Sequence, residues 1–198
     1  MYRFARAFAL LAVIGIYACS DAANAEPASQ DTSLPQLNIQ LNGDPGPPPN
    51  PSVDPNAPSL DLRIIKSMIY SDAMKNQVNP YLVMGLAWHE SGWQASVVSS
   101  AGAVGIMQVM PSTAAADGPL LLNRSVNLFD PGDNIDMGAA IIKHNLDSYH
   151  NDLAKALTAY YAGGGAVTDW VHLRADCRHY VWAVYNAAMM FKEGKGPV

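Results

Sequence analysis

A carboxylic acid on the core-facing stripe of a helix constrains this chain more than any other feature. Asn79 and Pro80 open a helical segment, with Asn79 as its cap and Pro80 in its first turn. Leu82, Val83, Leu86 and Ala87 form the apolar face. Glu90 falls four residues past Leu86 and eight past Leu82, on the same stripe. The chain has only two other glutamates, Glu26 and Glu193, both near its ends and outside any motif. A lone carboxyl among apolar side chains has its charged form disfavoured and can hold a proton near neutral pH. A general acid for glycosidic cleavage needs that property. The plainer alternative is a helix-end acid hydrogen-bonded to a neighbouring loop, and the pattern alone favours it. Two features weigh the other way. Gly92, Gly102 and Gly105 interrupt helicity and let a backbone approach closely. Trp88, Trp93, Tyr160 and Tyr161 are available to stack on sugars, although an aromatic beside a helix is more often core.

Helical spacing recurs along the chain. Ser59 is the expected cap of a first helix carrying Leu60, Ile64, Ile65, Met68 and Ile69. Residues 103–110 read as a short strand or an irregular run. Pro111, Ser112 and Thr113 start a short helix through Ala116, and residues 117–129 read as loop. Asp130, Pro131 and Gly132 lead into a helix over about 133–149, with Ile135, Gly138, Ala139, Ile142, Leu146 and Tyr149 along one face. Asp152 caps a further helix carrying Leu153, Ala156, Leu157 and Tyr160, which Gly163-Gly164-Gly165 ends. A last helix covers about 176–191. The expected class is mainly α, with at most a small sheet or irregular segment.

A chain of 198 residues suggests one domain plus extensions. The net charge of -5 is scattered, with no Lys/Arg stripe, so a nucleic-acid partner is not expected. Residues 1–25 read as a signal peptide: Arg3 and Arg6, an apolar run over 7–18 too short to span a bilayer, then Ala23-Asn24-Ala25. Residues 26–58, dense in Pro, Gly, Asn and Asp, read as a disordered, semi-stiff linker. The folded domain is expected over 59–193, with a tail at 194–198. The expected location is periplasmic or secreted. Ile16-Tyr17-Ala18-Cys19 offers a second reading as a lipobox, with the protein lipid-anchored through Cys19. Cleavage after Ala25 would leave Cys177 without an intramolecular partner, as a small buried hydrophobe.

Other chemistries fail on their patterns. His89-Glu90 begins like the HExxH of zinc proteases, but position 93 is Trp. Residues 130–136 are acidic, yet Gly132 occupies the third ligand position of an EF-hand loop and the terminal Glu is missing. His144, His150, His172 and His179 show no ligand spacing. No Ser-His-Asp set or phosphate-binding glycine loop is visible. Neither a metal nor a cofactor is expected.

Three ordered blocks carry a family resemblance. Glu90-Ser91-Gly92-Trp93, then Ser99, then the run from Gly102 to Pro111, resemble the catalytic signature of soluble-type lytic transglycosylases, relatives of goose-type lysozyme. Leu128-Phe129-Asp130-Pro131 with Asn134-Ile135 and Gly138-Ala139 resembles the family's entry into its next long helix. Ala159-Tyr160-Tyr161-Ala162-Gly163 resembles its tyrosine motif, and Tyr180-Val181 fits its closing helix. The resemblance spans about residues 60–191 and implies a lysozyme-like fold with a groove past Glu90. It implies that Glu90 is the acid and then the base. Gln108 and Met110 would line the groove beside the N-acetylmuramyl ring. Ser99 would contact substrate or steady the surroundings of Glu90, and Tyr160 would help orient Glu90 and the sugar. Gly102 and Gly105 would keep the groove wall thin. Two positions depart from the family pattern: Tyr161 stands where Asn is usual, and Gly164 where Pro is often found.

The usual hydrolytic route needs two acids flanking the bond. No Asp lies in the block around Glu90, and the nearest, Asp117 and Asp130, read as loop and turn residues. A single acid suffices if the substrate supplies the nucleophile. The resemblance thus implies cleavage of the MurNAc-GlcNAc β-1,4 bond with formation of 1,6-anhydro-MurNAc. Its implied partner is the peptidoglycan glycan strand; the signal segment, the linker and the minimal catalytic core suggest local wall opening for a secretion or conjugation apparatus, with the protein expected to be a monomer. A goose-type hydrolase and a non-catalytic glycan-binding scaffold remain as alternatives.

Overall fold

The structure, a computed structural model, describes residues 61–196. The expected signal segment, linker, Cys19 and Ser59 cap lie outside those residues. Asp61 caps α1 (Leu62–Lys75), its carboxylate accepting the Arg63 amide at 2.8 Å. There follow α2 (Pro80–Ser91), α3 (Pro111–Leu121), α4 (Pro131–Ser148), α5 (Leu153–Ala162) and α6 (Ala175–Lys192). Short 3₁₀ turns at Gly164–Ala166 and Trp170–His172 join α5 to α6. The described residues hold no strand. Two isolated antiparallel bridges, Val98 with Val104 and Val104 with Val109, tighten the chain between α2 and α3. The class is mainly α, and residues 103–110 are the irregular run rather than the strand.

Helix α2 starts as its sequence directs. Asn79 accepts the Tyr81 amide at 2.9 Å, and Pro80 takes the first helical position, where its missing N–H has no partner to lose. The single apolar stripe is corrected, however. Residues 80–87 are all buried, because α1 and α6 both pack on this helix. An all-round apolar helix belongs at the centre of a core. Gly85 lets a neighbour approach closely: a Cβ there would lie 2.4 Å from the backbone nitrogen of Ala188 on α6. Burial lapses in the last turn, where His89 is exposed and Trp88 and Glu90 are half-buried. Gly92 stops the helix at φ 61°, and its N–H returns to the Trp88 carbonyl. Trp93 then folds back into the core. Its indole N–H donates to the Met84 carbonyl at 3.1 Å and its ring stacks on Phe191 at 4.9 Å. At 1% exposure Trp93 cannot be the sugar platform that its position in sequence allowed.

Helix α3 runs five residues past Ala116, through Pro119. Proline removes one backbone bond, but Gly118 lets the returning chain close on this extra turn. A Cβ at Gly118 would meet Val126 Cγ2 at 3.0 Å and the Arg124 carbonyl at 3.2 Å. Helix α4 begins two residues before the expected Asp133, with Asp130 as cap accepting the Asp133 amide at 2.9 Å. Asp152 caps α5 as expected, accepting the Lys155 amide at 3.0 Å. The other acids of residues 130–136 are consumed by ion pairs. Asp133 holds Arg124 at 2.7 Å. Asp136, 2% exposed, accepts Lys75 and Arg124 at 2.7 Å each and Asn76 at 2.9 Å, tying α1 to α4. Its partners hold this carboxyl below its ordinary pKa despite burial, which acts the other way. Cys177 is free and fully buried, as its surroundings in sequence suggested. Among the described residues, no helix is long and apolar enough to cross a membrane.

Gly85→Ala is expected to destabilise the domain by about 1–3 kcal/mol, as overpacking does. Alanine's better helix propensity, worth roughly 1 kcal/mol, is outweighed by overlap with backbone that cannot rotate away. Urea denaturation followed by circular dichroism measures this, and an unchanged midpoint would contradict so close a helix contact.

Candidate active site

Glu90 sits where α2 emerges from the core. Burial is the main influence on its carboxyl and raises the pKa from an ordinary 4.5 to about 7. The opposing influence is a hydrogen bond from the Tyr180 hydroxyl to Glu90 Oε1, which favours the charged form. Desolvation wins, and no charged neighbour contributes. Tyr180 comes from α6 and its ring is almost wholly buried. Two further rings pack on it. Tyr161 of α5 stacks at 4.5 Å with 19° between planes, and His89 of α2 meets it edgewise at 5.0 Å and 75°. Burial also lowers the pKa of His89.

No second acid joins this group among the described residues. Asp130 is engaged as the α4 cap. Asp117 has its pKa raised by burial, with His144 opposing. A cavity of about 240 Å³ lies elsewhere, between the start of α5 and the Trp170–His172 turn. Asp152, Lys155 and Trp170 line it and Glu90 does not.

Beside Glu90 runs the irregular segment 97–110, held by side chains from three helices. Ser91 of α2 donates to the Ile106 carbonyl at 2.8 Å. Asn134 of α4, 1% exposed, accepts the Met107 amide at 2.8 Å and donates to the carbonyls of Val104 at 2.8 Å and Leu128 at 3.0 Å. Tyr160 of α5 donates to the Met107 carbonyl at 2.8 Å. Both backbone groups of Met107 are thus satisfied by side chains, as buried backbone in a loop requires. Glycines permit the contacts. A Cβ on Gly105 would lie 2.5 Å from Asn134 Nδ2, and one on Gly138 would lie 2.6 Å from the Met107 side chain. Gly105, at φ 76°, therefore makes room for Asn134, whereas Gly102, at φ 89°, has nothing within 4 Å of where its Cβ would stand.

The residues singled out from sequence fall on or against this segment. Ser99 closes its first turn, its hydroxyl accepting the Ala103 amide at 3.0 Å. Gln108 is 9% exposed and has a left-handed backbone at φ 47°. Its amide nitrogen donates to the carbonyls of Gly105 at 2.9 Å and Val97 at 3.3 Å. Met110 is half-buried at the entrance to α3. Tyr160 anchors the segment, while the hydroxyl on Glu90 is that of Tyr180. Sequence reading had matched Tyr180 to a closing helix without giving it a task, and had Asn134 only as part of a motif. Nothing local in either residue's surroundings announces these partners.

Six helices, one of them buried from residue 80 to 87 and ending in a lone glutamate whose pKa burial raises, make a lysozyme-like domain. Residues 67–182 match the family described as Transglycosylase SLT domain, and the chain belongs to that family. The transglycosylase of Enterobacteria phage PRD1 is 35% identical over 121 residues, covering 61% of this chain and 42% of that protein. The soluble lytic murein transglycosylase of Escherichia coli K12 is 29% identical over 113 residues, covering 52% of this chain and 18% of its own. The solved 70 kDa soluble lytic transglycosylase of Escherichia coli superposes with a TM-score of 0.57 at 25% identity, over 66% of this chain and 24% of that one. An inactive glutamate-to-glutamine mutant of the lytic transglycosylase Slt from Pseudomonas aeruginosa gives 0.59 at 22% identity, over 65% and 24%. The chain spans less than half the length of each of these relatives. The fold is the one the sequence resemblance implies.

The pKa of Glu90 also makes a stability prediction. Between 4.5 and about 7 the native state keeps a proton that the unfolded chain releases. Stability from this group is therefore present at low pH and falls as pH rises through that window. Glu90→Gln removes the titration. The variant should be more stable than the wild type by roughly 1–3 kcal/mol at about pH 8, and no more stable at about pH 4. Urea midpoints at both pH values check this; an equal difference at the two would assign the titration elsewhere.

Proposed function

We propose that this domain is a lytic transglycosylase that cleaves peptidoglycan glycan strands outside the cytoplasm, with Glu90 as its single acid and base. The observation that carries this reading is a carboxyl desolvated at the end of α2, with one of its two oxygens held by Tyr180. Burial keeps the carboxyl protonated to about pH 7, and Tyr180 engages Oε1, leaving Oε2 to carry the proton. In the first step Glu90 donates that proton to the glycosidic oxygen as the bond to C1 breaks. The N-acetyl group of the muramyl sugar stabilises the cation that develops at C1. Glu90, now a carboxylate, removes the proton from the C6 hydroxyl as O6 bonds to C1. The product is a 1,6-anhydro sugar, no water is consumed, and the acid is restored. The family membership supports this reading, as does an Slt that is inactive as a glutamate-to-glutamine mutant.

Ser99, Gln108, Met110 and Tyr160 would form one wall of the substrate site. Both N–H groups of the Gln108 amide face carbonyls of its own segment, so its amide oxygen is the atom left for a sugar hydroxyl or acetamido N–H. Tyr160 would act on the sugar through the segment it anchors. The signal-like residues 1–25 and the proline-rich residues 26–58 support a tethered domain outside the cytoplasm, suited to local wall opening for a secretion or conjugation apparatus.

Mass spectrometry of muropeptides from digested walls tests the reaction. Anhydro ends are expected; reducing ends would assign a goose-type hydrolase instead. Glu90→Gln should lower the rate by about 10²–10⁴-fold, the usual worth of general acid catalysis, and wild-type activity should decline above about pH 7 as Glu90 ionises. A variant that clears walls at the wild-type rate would leave only a glycan-binding scaffold.

A further inference from the structure

We infer that Tyr161 is a positioning residue for the acid: stacked on Tyr180, it holds the Tyr180 hydroxyl on Glu90 Oε1 and so keeps Oε2 as the proton-bearing oxygen. The inference rests on Glu90 being the general acid, and it adds a residue that never needs to touch substrate.

The geometry supports it in three steps. The hydroxyl of a tyrosine lies on the axis of χ2, so rotation of the ring about that axis does not move it. Its place is set by χ1 and by the backbone. Tyr161 lies 4.5 Å from the Tyr180 ring, nearly parallel to it, and blocks the swing towards α5 that a change of χ1 would need. His89 meets the same ring edgewise from α2 at 5.0 Å. Tyr180 therefore stands between rings from two other helices. Tyr161 is itself fixed in place: the preceding Tyr160 ties the last turn of α5 to the Met107 carbonyl at 2.8 Å, and Gly163 ends the helix at φ 78°.

The catalytic consequence follows from the steep dependence of a hydrogen bond on its angle. A Tyr180 hydroxyl free to wander would address either carboxyl oxygen, and the proton would spend part of its time on the oxygen turned from the sugar. The same hydroxyl holds the Glu90 pKa below the value burial alone would set. The titratable groups packed on Tyr180 are Tyr161 on α5 and His89 on α2, and Arg174, just before α6, bears electrostatically on Tyr161; His89 and Arg174 are left intact in every variant below.

The test compares Tyr161→Phe, Tyr161→Ala, Tyr180→Phe and the double variant Tyr161→Ala/Tyr180→Phe on soluble, uncrosslinked peptidoglycan strands, with kcat, KM and pH dependence measured for each. Tyr161→Phe keeps the stacked ring and should stay within about twofold of wild type. Tyr161→Ala should lower kcat by roughly 10- to 100-fold, the scale of a misplaced catalytic group, with KM little changed and the alkaline limb moved to higher pH. Tyr180→Phe should move that limb the same way, and adding Tyr161→Ala to it should move it no further, since one residue acts through the other. Tyr161→Asn serves as a second ringless variant if the alanine variant does not fold. A wild-type kcat and pH limb in the ringless variant would overturn the inference. So would a change in KM alone, which would make Tyr161 a substrate platform, or full additivity with Tyr180→Phe. Glu90→Gln separates the two levels. Activity retained there removes the acid assignment itself, whereas an inactive Glu90→Gln beside an unaffected Tyr161→Ala removes only the positioning role.

Discussion

The site depends on how closely α6 lies against α2. At Gly85 the two helices meet with no room for a Cβ, because the backbone of Ala188 occupies that space. Contact this close lets α6 cover α2 along most of its length. It sets Phe191 against Trp93 and Trp88, and it brings Tyr180 over the last turn of α2. A glutamate at the end of an ordinary surface helix would remain hydrated and titrate near 4.5. Here the covering helix removes water, which raises the pKa, and supplies one hydroxyl, which lowers it. The first effect is the larger, so the group titrates near neutrality.

A second constraint is the irregular segment beside the acid. Without a helix or ladder, its buried backbone must find partners among side chains. A typical hydrogen bond contributes only about 1 kcal/mol net, but a buried amide left without one costs about 1–3 kcal/mol. Asn134 and Tyr160 satisfy the two backbone groups of Met107, and Ser91 satisfies the carbonyl of Ile106. These three side chains come from α4, α5 and α2. The segment is thus rigid because several helices agree on its position, and Gly105 and Gly138 are the places where that agreement needs empty space.

Much of this could be read from residue order. The caps Asn79 and Asp152 perform the task their positions suggested, since a capping side chain reaches only two or three residues along its own chain. The buried character of Cys177 and the unusual placement of Glu90 were equally legible. Where the reading went astray, a distant part of the chain intervened. Helix α3 continues past Ala116 because residues 124–126 pack on Gly118. Trp93, adjacent in sequence to the acid and outwardly a candidate for sugar stacking, is claimed by Phe191 nearly a hundred positions away.

By itself the sequence determined that the chain is helical, where most of its helices begin, which carboxyl is out of place, and which family it resembles. These are matters of short-range spacing and of motif. Tertiary structure alone decided that α2 is surrounded rather than striped, that Tyr180 donates to Glu90, and that Asn134 holds the neighbouring segment in place. Desolvation is the sum of everything packed around a group, and the Tyr180 bond joins residues 90 positions apart. Neither can be found by counting along a single helix.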